Sequence, residues 1–469
     1  MSTFDYRFLF IASSVMSACT SWEPEAIEAA DFELSQTESI STSPQQVEYY
    51  EAWLEARTPS DHVRATLLDS EGFSWNCVDV EHQPAFRRGT IARARMAASI
   101  IDEETATGRT VSESEISVRV EEALTLSSGV YEDIDADAAR AAIEAALMES
   151  DSAEPDLEGT DSGLDTGENG PGSDQRGDMD ISGICPEGTV PIEAWSADQI
   201  AARGGLEAFL NPEPPSWYWN DHEYGTARDI GTFSGGKANI NVWNPYVERT
   251  TEFSLAQIWL SRGTGDDLQT VEAGWQDYFL RTFSAKPRLF VFSTSDNYDT
   301  GCYNNNCGDW VQTSSTVSLN MTWSNFSTQG GAQYSNEYRY WRSDSTGNWY
   351  FVYDGETVGY YPGSLFDSAG LSNHASRLTF GGEIVNFGGF THTKTDMGSG
   401  ADASGGWTYS TYIRDMHSRT TDPVYLDFEV DVISTEPGCY DAADHYSTGE
   451  NWEVYMYFGG EGYNPSYCL

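Results

Sequence analysis

The sequence predicts an all-β domain, an antiparallel β-sandwich over residues 216–469, preceded by a smaller mixed or helical region. Three observations predict it. The apolar period changes from near 3.6 to two beyond a proline-rich segment, Asn211-Pro212-Glu213-Pro214-Pro215. Past that point, Gly, Asn, Asp and Ser clusters interrupt short apolar runs at short intervals, and no long helical pattern returns. At 469 residues the chain is also long enough to bury a sizeable core.

The elements follow in order. Residues 1–18 read as an export signal: residues 8–15 are mostly apolar, and Met16-Ser17-Ala18 precedes Cys19 as in a bacterial lipoprotein cleavage box. Cys19 is the expected lipidation site, and the polar, acidic residues 19–44 are a tether. In residues 45–150 the pattern is helical in patches. Val47, Tyr50 and Leu54, then Ala138, Ala142, Ile143 and Ala146, recur at spacings near three and four. Residues 151–183 form an acidic linker. Its first thirty residues hold ten acids and one base, with too few apolar groups to offset the entropy of ordering. An island at 184–210 and the proline segment, stiff and poor in N–H donors, close the N-terminal region at 215.

Beyond it, Val424, Leu426, Phe428, Val430 and Val432 alternate with polar residues, as one strand with an apolar face would. Trp452, Val454, Met456 and Phe458 do the same. Residues 289–294 are apolar on both sides, as a strand covered by another layer would be.

The formal net charge is −49, with only three lysines, Lys237, Lys286 and Lys394. Binding to nucleic acid is thereby disfavoured, because phosphate neutralisation needs Lys and Arg on one face. An acidic medium suits the chain, since protonation of carboxylates near its pI of about 4.1 relieves self-repulsion. No later run approaches the roughly 20 apolar residues that span a bilayer, so membrane contact is expected only through a lipid at Cys19. The expected location is extracytoplasmic, secreted or lipid-anchored at the cell surface or outer membrane, and the expected state is a monomer. Seven histidines are scattered without zinc-ligand spacing, and no metal or other cofactor is expected. Asn320-Met-Thr and Asn325-Phe-Ser fit glycosylation sequons.

A family resemblance emerges from several motifs in a fixed order. They are Val271-Glu272-Ala273-Gly274-Trp275, Thr300-Gly301-Cys302-Tyr303-Asn304 with Cys307, Gly347-Asn348-Trp349, and Gly359-Tyr360-Tyr361-Pro362-Gly363. Phe380-Gly381-Gly382-Glu383, Met397-Gly398-Ser399-Gly400 and Phe458-Gly459-Gly460 with Cys468 follow. Across residues 221–469 these resemble the neprosin family. Asn76-Cys77-Val78-Asp79 with Gln83-Pro84-Ala85-Phe86, and Cys185-Pro186-Glu187-Gly188, resemble that family's activation peptide. The resemblance implies a glutamic peptidase with a β-sandwich fold, cutting after proline in acid, with Glu272 and Glu383 as its catalytic pair. Glu461 stands where plant members generally have proline, and the acidic linker is an insertion that obscures the activation site.

Two glutamates suffice for peptide hydrolysis. An ionised carboxylate can take a proton from water while a neutral carboxyl donates to the carbonyl oxygen or leaving nitrogen. Paired carboxyls do not both ionise cheaply, so the pair holds a proton below neutrality, as in aspartic peptidases. Glu272 is the expected base. Trp243, Trp275 and Tyr360 are candidate walls of a cleft for proline-containing peptides. Six cysteines besides Cys19 suit three disulfides in an exported chain. Cys302–Cys307 would close a local turn, Cys439–Cys468 would staple the C-terminal strands, and Cys77–Cys185 would tie the N-terminal region together. That region is expected to keep the enzyme latent until it is cut near 211–215 or within 151–180, acid loosening the contact. The competing functions are a glycoside hydrolase using paired glutamates and a non-catalytic adhesin or lectin-like module with calcium-binding acidic loops.

Overall fold

A computed structural model describes residues 42–126, 132–153, 172–210, 220–387, 391–446 and 452–468. The signal segment, Cys19, the tether to residue 41, residues 154–171 of the linker and the 211–215 proline segment lie outside the described residues.

The N-terminal region is built from α1 (Pro44–Arg57), β1 (Val63–Leu68), β2 (Ser74–Asp79), α2 (Arg88–Ala106), α3 (Glu113–Leu126) and α4 (Ala136–Ala153). It continues with β3 (Gln175–Arg176), β4 (Met179–Asp180), β5 (Thr189–Glu193), α5 (Ala197–Ala202) and α6 (Leu206–Leu210). Ser43 opens α1 with a capping box shared with Gln46. Tyr50 and Trp53 of α1 pack with Ile91 of α2, Ile200 of α5 and Phe209 of α6.

The β domain follows as β6 (Asn220–Phe233), β7 (Gly235–Asn241), β8 (Ser254–Arg262), β9 (Gln269–Asp277), β10 (Arg288–Thr294), β11 (Cys302–Tyr303), β12 (Val311–Gln312), β13 (Thr322–Trp323), β14 (Tyr334–Arg342), β15 (Trp349–Tyr353), β16 (Glu356–Tyr361), β17 (Ala375–Phe387), β18 (Thr411–Arg419), β19 (Tyr425–Asp427), β20 (Asp431–Ser434), β21 (Asp441–Tyr446) and β22 (Val454–Gly459). One sheet has seven strands in the order β11-β10-β9-β8-β17-β6-β20. The other has ten: β12-β16-β15-β14-β7-β18-β22-β21, with β19 on β18 and β3 on β14. Every pairing is antiparallel except that of β3 with β14. The sandwich predicted from the period of two is therefore the fold.

Alternation fills its core. Ala256, Ile258 and Leu260 of β8, and Val271, Ala273 and Trp275 of β9, meet Tyr338, Tyr340, Trp349 and Phe351 of the larger sheet. Two polar ties cross the layers: Tyr340 Oη donates to the Glu272 carbonyl at 3.0 Å, and Trp275 Nε1 to the Asn241 carbonyl at 2.9 Å.

The N-terminal region is joined to the sandwich through buried groups. Trp75 enters the main core and donates to the Leu319 carbonyl at 2.7 Å. Arg288 meets Asp69 at 2.9 Å with side chains 1% and 0% exposed, and it meets Glu71 at 2.6 Å. Removing one member of such a buried pair typically costs about 3–5 kcal/mol, because the other is left uncompensated. Ala139, Ile143 and Ala146 of α4 cover Tyr350, Val352 and Tyr360 on the outer face of the larger sheet.

Several expectations change. The helical patches enclose a three-stranded sheet, β1-β2-β5, that periodicity missed. The acidic stretch is not open throughout: residues 151–153 finish α4, and β3 and β4 pair with β14 and β13. There Asp174 grips Arg414 at 2.9 Å. The run from Val424 to Val432 is two strands. β19 pairs in one sheet and β20 in the other, so the chain crosses layers at buried Phe428, leaving Val424 and Leu426 exposed. Asn320 is fully buried and accepts from Arg281, so that sequon is closed to sugar, whereas Asn325 is exposed. Trp452, Val454, Met456 and Phe458 are buried as the alternation requires. The three disulfides pair as expected: Cys77–Cys185, Cys302–Cys307 and Cys439–Cys468. They suit an extracytoplasmic protein, and no helix among the described residues is long and apolar enough to cross a membrane.

Stability should depend on pH in two directions. Burial pushes Asp277 up to about 7 and Asp396 up to about 6, so their contribution is present in acid and lost as pH rises through those values. Burial would also raise Glu71, Glu149 and Asp174, but their hydrogen bonds and ion pairs outweigh it and hold each below the usual carboxylate range. Their contribution is lost as pH falls. Thermal melts should show stability rising from about pH 8 to about pH 5 and falling below about pH 4. A maximum at pH 8 would contradict this balance.

Candidate active site

Strand β8 lies between β9 and β17, and its register decides which side chains share a face. Trp259 is opposite Glu272 of β9, and Leu255 is opposite Glu383 of β17. Side chains at even separation along a strand point the same way. Leu255, Gln257, Trp259, Glu272, Gly274, Gly381 and Glu383 therefore share the outer face of the seven-stranded sheet. His222 and Tyr224 of β6 join them, Tyr224 being opposite Glu383. Two motifs 111 positions apart thus deliver their glutamates to one surface. The glutamates stand two strands apart and are offset by four residues along β8, with Gln257 between them.

Both carboxyls are nearly buried, Glu272 at 5% and Glu383 at 7% exposure, but their surroundings differ. Glu272 Oε1 accepts from Thr270 Oγ1 at 2.7 Å and Tyr298 Oη at 2.8 Å, and Oε2 accepts from Gln257 Nε2 at 3.0 Å. Glu383 Oε1 meets Nδ1 of His222, a ring at the solvent edge, and its carboxyl also bonds the Tyr224 hydroxyl. Burial pushes Glu272 up to about 7, against its three donors, and the charge of Glu383 adds to the rise. Burial also raises Tyr224 and Tyr298, and each responds to both glutamates, so the two carboxyls and two hydroxyls form one electrostatic unit.

Gln257 has a further property. Its Oε1 is buried without a hydrogen-bond partner. A half-turn of the amide would bring that oxygen to Glu272 Oε2, where a proton on the carboxyl could be donated to it. The site can therefore hold Glu272 in either protonation state.

The predicted cleft walls lie elsewhere. Trp275 and Trp243 are packed in the main core, Trp243 donating to Asn241 Oδ1, and Tyr360 is buried under α4. The reason is parity: Trp275 is an odd number of positions from Glu272 and points inward. Aromatic residues beside Glu272 are Trp259 and Phe292, each opposite it on a neighbouring strand, and Tyr298. Sequence reasoning missed these, together with Thr270, Gln257, His222 and Tyr224. The only signals were the i, i+2 spacing of Thr270 to Glu272 and the position of Tyr298 just before Thr300-Gly301-Cys302.

None of the metal-capable clusters among the described residues includes Glu272 or Glu383, although the one at His392 lines a pocket together with His222. His62 and His82 stack at 3.4 Å with planes 11° apart near Asp79, and nearly parallel rings cannot both direct a nitrogen at one ion. Asp415 and Glu453 sit at opposite nitrogens of His417, 3.4 and 3.0 Å away, with Lys237 on Asp415. His392 adjoins Cys439 and Cys468, which are joined to each other.

Gly274 shows how tightly the face is built. A Cβ there would lie 2.1 Å from the Ala256 carbonyl and 2.4 Å from Gln257 Cβ. Gly274→Ala should cost about 1–3 kcal/mol in urea unfolding, the usual range for overpacking. An unchanged midpoint would show that β8 yields freely.

Residues 250–461 match the family model described as Neprosin. Among solved structures the chain is similar to scytalido-glutamic peptidase with a peptide-based transition-state analogue, at 12% identity and a TM-score of 0.28. It is likewise similar to that peptidase with a transition-state analogue inhibitor, at 12% identity and a TM-score of 0.30. A third is SCP-B, a member of the Eqolisin family of peptidases, in complex with the tripeptide Ala-Ile-His, at 14% identity and a TM-score of 0.28. Each match covers 52% of this chain and 100% of the other. The motifs read from Glu272 to Gly460 fall within the matched span, and the chain carries a Neprosin domain over residues 250–461.

Proposed function

We propose that the protein is an exported acid endopeptidase that cleaves after proline with Glu272 and Glu383 as its catalytic pair. The Neprosin domain supports a peptidase acting on peptide substrates. The observation that carries the mechanism is that two glutamates from distant motifs share one face in unlike surroundings. Glu272, buried and raised to about 7, is protonated under acid conditions and serves as the acid. Glu383 sits beside His222, a partner able to carry positive charge in acid, and serves as the base. This reverses the assignment expected from the sequence. In the proposed step Glu383 takes a proton from water as its oxygen bonds to the carbonyl carbon. Glu272 protonates the carbonyl oxygen, and the amide breaks once its nitrogen receives a proton from the pair.

The N-terminal region fits a precursor form. Glu71, Glu149 and Asp174, each held below the usual range, are three of its carboxylate grips on the β domain, through Arg288 and Lys286, Ser345 and Tyr350, and Arg414. Acid would loosen all three. Among the described residues of this region, none bonds Glu272 or Glu383. Latency would therefore act through the docking of the region as a whole, ended by a cut near 211–215 or within 151–180. Export follows from the signal pattern, with the lipid at Cys19.

Glu272→Gln and Glu383→Gln should each lower turnover at least about a thousandfold while melting like the parent chain. Peptide products should be mapped by mass spectrometry at pH 3–5, with intact mass followed in parallel. Turnover retained in both variants would refute the pair, and cuts without proline preference would refute the specificity. Polysaccharide cleavage, or binding of either polymer that EDTA abolishes, would favour the glycosidase or adhesin alternatives.

A further inference from the structure

The loop between β10 and β11 carries Tyr298 into the site in an unusual way. Asn297 and Tyr298 are consecutive non-glycine residues with φ of 59° and 66°, a region that bulky side chains rarely occupy. The loop is held there by its own side chains. Thr294 Oγ1 accepts from the Tyr298 backbone N–H at 3.0 Å and donates to the Thr300 carbonyl at 2.6 Å. Asp296 accepts from the N–H and hydroxyl of Thr300 at 2.9 and 2.6 Å. Such over-determined strain is typical where a side chain must be presented to a reacting group.

Tyr298 faces two ways. Its hydroxyl lies 2.8 Å from Glu272 Oε1, while the residue is 50% exposed. The ring stacks on Phe292 at 5.9 Å with planes 16° apart. Phe292 and Trp259 are the cross-strand neighbours of Glu272 on either side, so an aromatic wall rises beside the carboxyl.

We propose that Tyr298 has two separable duties: its hydroxyl positions Glu272 for proton delivery, and its ring is the platform on which the substrate's proline stacks. The proposal rests on the peptidase reading and deepens it. The hydroxyl favours the ionised carboxylate by donating to it, so it restrains the proton affinity that burial confers on Glu272. Other ionisable groups that sense the charge of this carboxyl are Glu383, Tyr224 and Tyr303, with Tyr340 and Tyr361 across the sheet in the core and His222 behind Glu383. The oxygen that Tyr298 grips is also gripped by Thr270, which supplies an internal comparison.

The test uses the full chain with Tyr298→Phe, Tyr298→Ala and Thr270→Val. Tyr298→Phe keeps the ring: KM should stay within about twofold while kcat falls about tenfold, the worth of a hydrogen bond to a charged group. The alkaline limb of its kcat/KM profile should move to higher pH, because the ionised form of Glu272 has lost a donor. Thr270→Val should move that limb the same way with KM unchanged. Tyr298→Ala should add a two- to tenfold rise in KM for proline peptides, about the value of a ring contact. An unmoved limb in Tyr298→Phe overturns the hydroxyl's duty, and an unmoved KM in Tyr298→Ala overturns the ring's. Difference infrared titration of the glutamate carboxyls, with Glu272→Gln as reference, reads the first duty without turnover. The Glu272 midpoint should rise in Tyr298→Phe, and a fixed midpoint refutes the duty even in a chain that cuts no peptide. Failure of the peptidase reading shows differently, as turnover surviving in both glutamine variants.

Discussion

The antiparallel register of β9, β8 and β17 is the constraint on which the rest of the site depends. A slip of one residue in either pairing would turn its glutamate into the core and bring a core residue out. Leu260, Val271 and Phe380 resist such a slip, since each would have to leave a fully buried position. The apolar alternation that fills the sandwich thus also fixes which carboxyls face outward. Stability and site geometry are set by the same side chains, and the glycine of the Glu-Ala-Gly-Trp motif belongs to this arrangement. It allows β8 to approach so closely that Gln257 reaches Glu272.

From that shared face comes the division of protons. Equivalent surroundings would leave the two carboxyls competing for one proton with no preference. Here the surroundings differ. Glu272 is enclosed by Thr270, Tyr298 and Gln257, none of which carries charge at neutral pH, so desolvation decides its state. Glu383 meets an imidazole at the solvent edge. Burial would make Glu272 a poor base, since the ionised form is the one it disfavours, and it would make the residue a good acid across the range in which this acidic chain is least self-repelling. Composition and site point to the same pH window for independent reasons.

Much of this was legible in the sequence, and the failures share one cause. The period of two from Trp452 to Phe458 found a strand because each apolar residue meets the opposing layer. From Val424 to Val432 the same signal misled, because periodicity records which residues alternate and not where the chain leaves a sheet. Trp275 was a reasonable cleft candidate by residue type and motif, but its parity against Glu272 sends it inward. Tyr298 was hidden for the converse reason. It lies on no strand, and its part in the site comes from a strained loop that no periodic pattern records. The acidic stretch was misread at its end, where Asp174 finds Arg414, 240 positions away. Charge composition indicates that a segment lacks apolar anchors, but a single buried guanidinium can provide a different one.

The N-terminal region follows the same logic from the other side of the molecule. Its contacts with the sandwich combine apolar cover by α4 and Trp75 with carboxylates on arginine, lysine and hydroxyl groups. The sandwich's own buried acids, Asp277 and Asp396 among them, are raised. Acid therefore weakens the contacts of Glu71, Glu149 and Asp174, whereas burial raises Glu193, Asp309 and Asp354 at the same joint. Glu71, Glu149 and Asp174 are thus the part of the joint that weakens in acid, while the apolar contacts of α4 and Trp75 are nearly indifferent to pH.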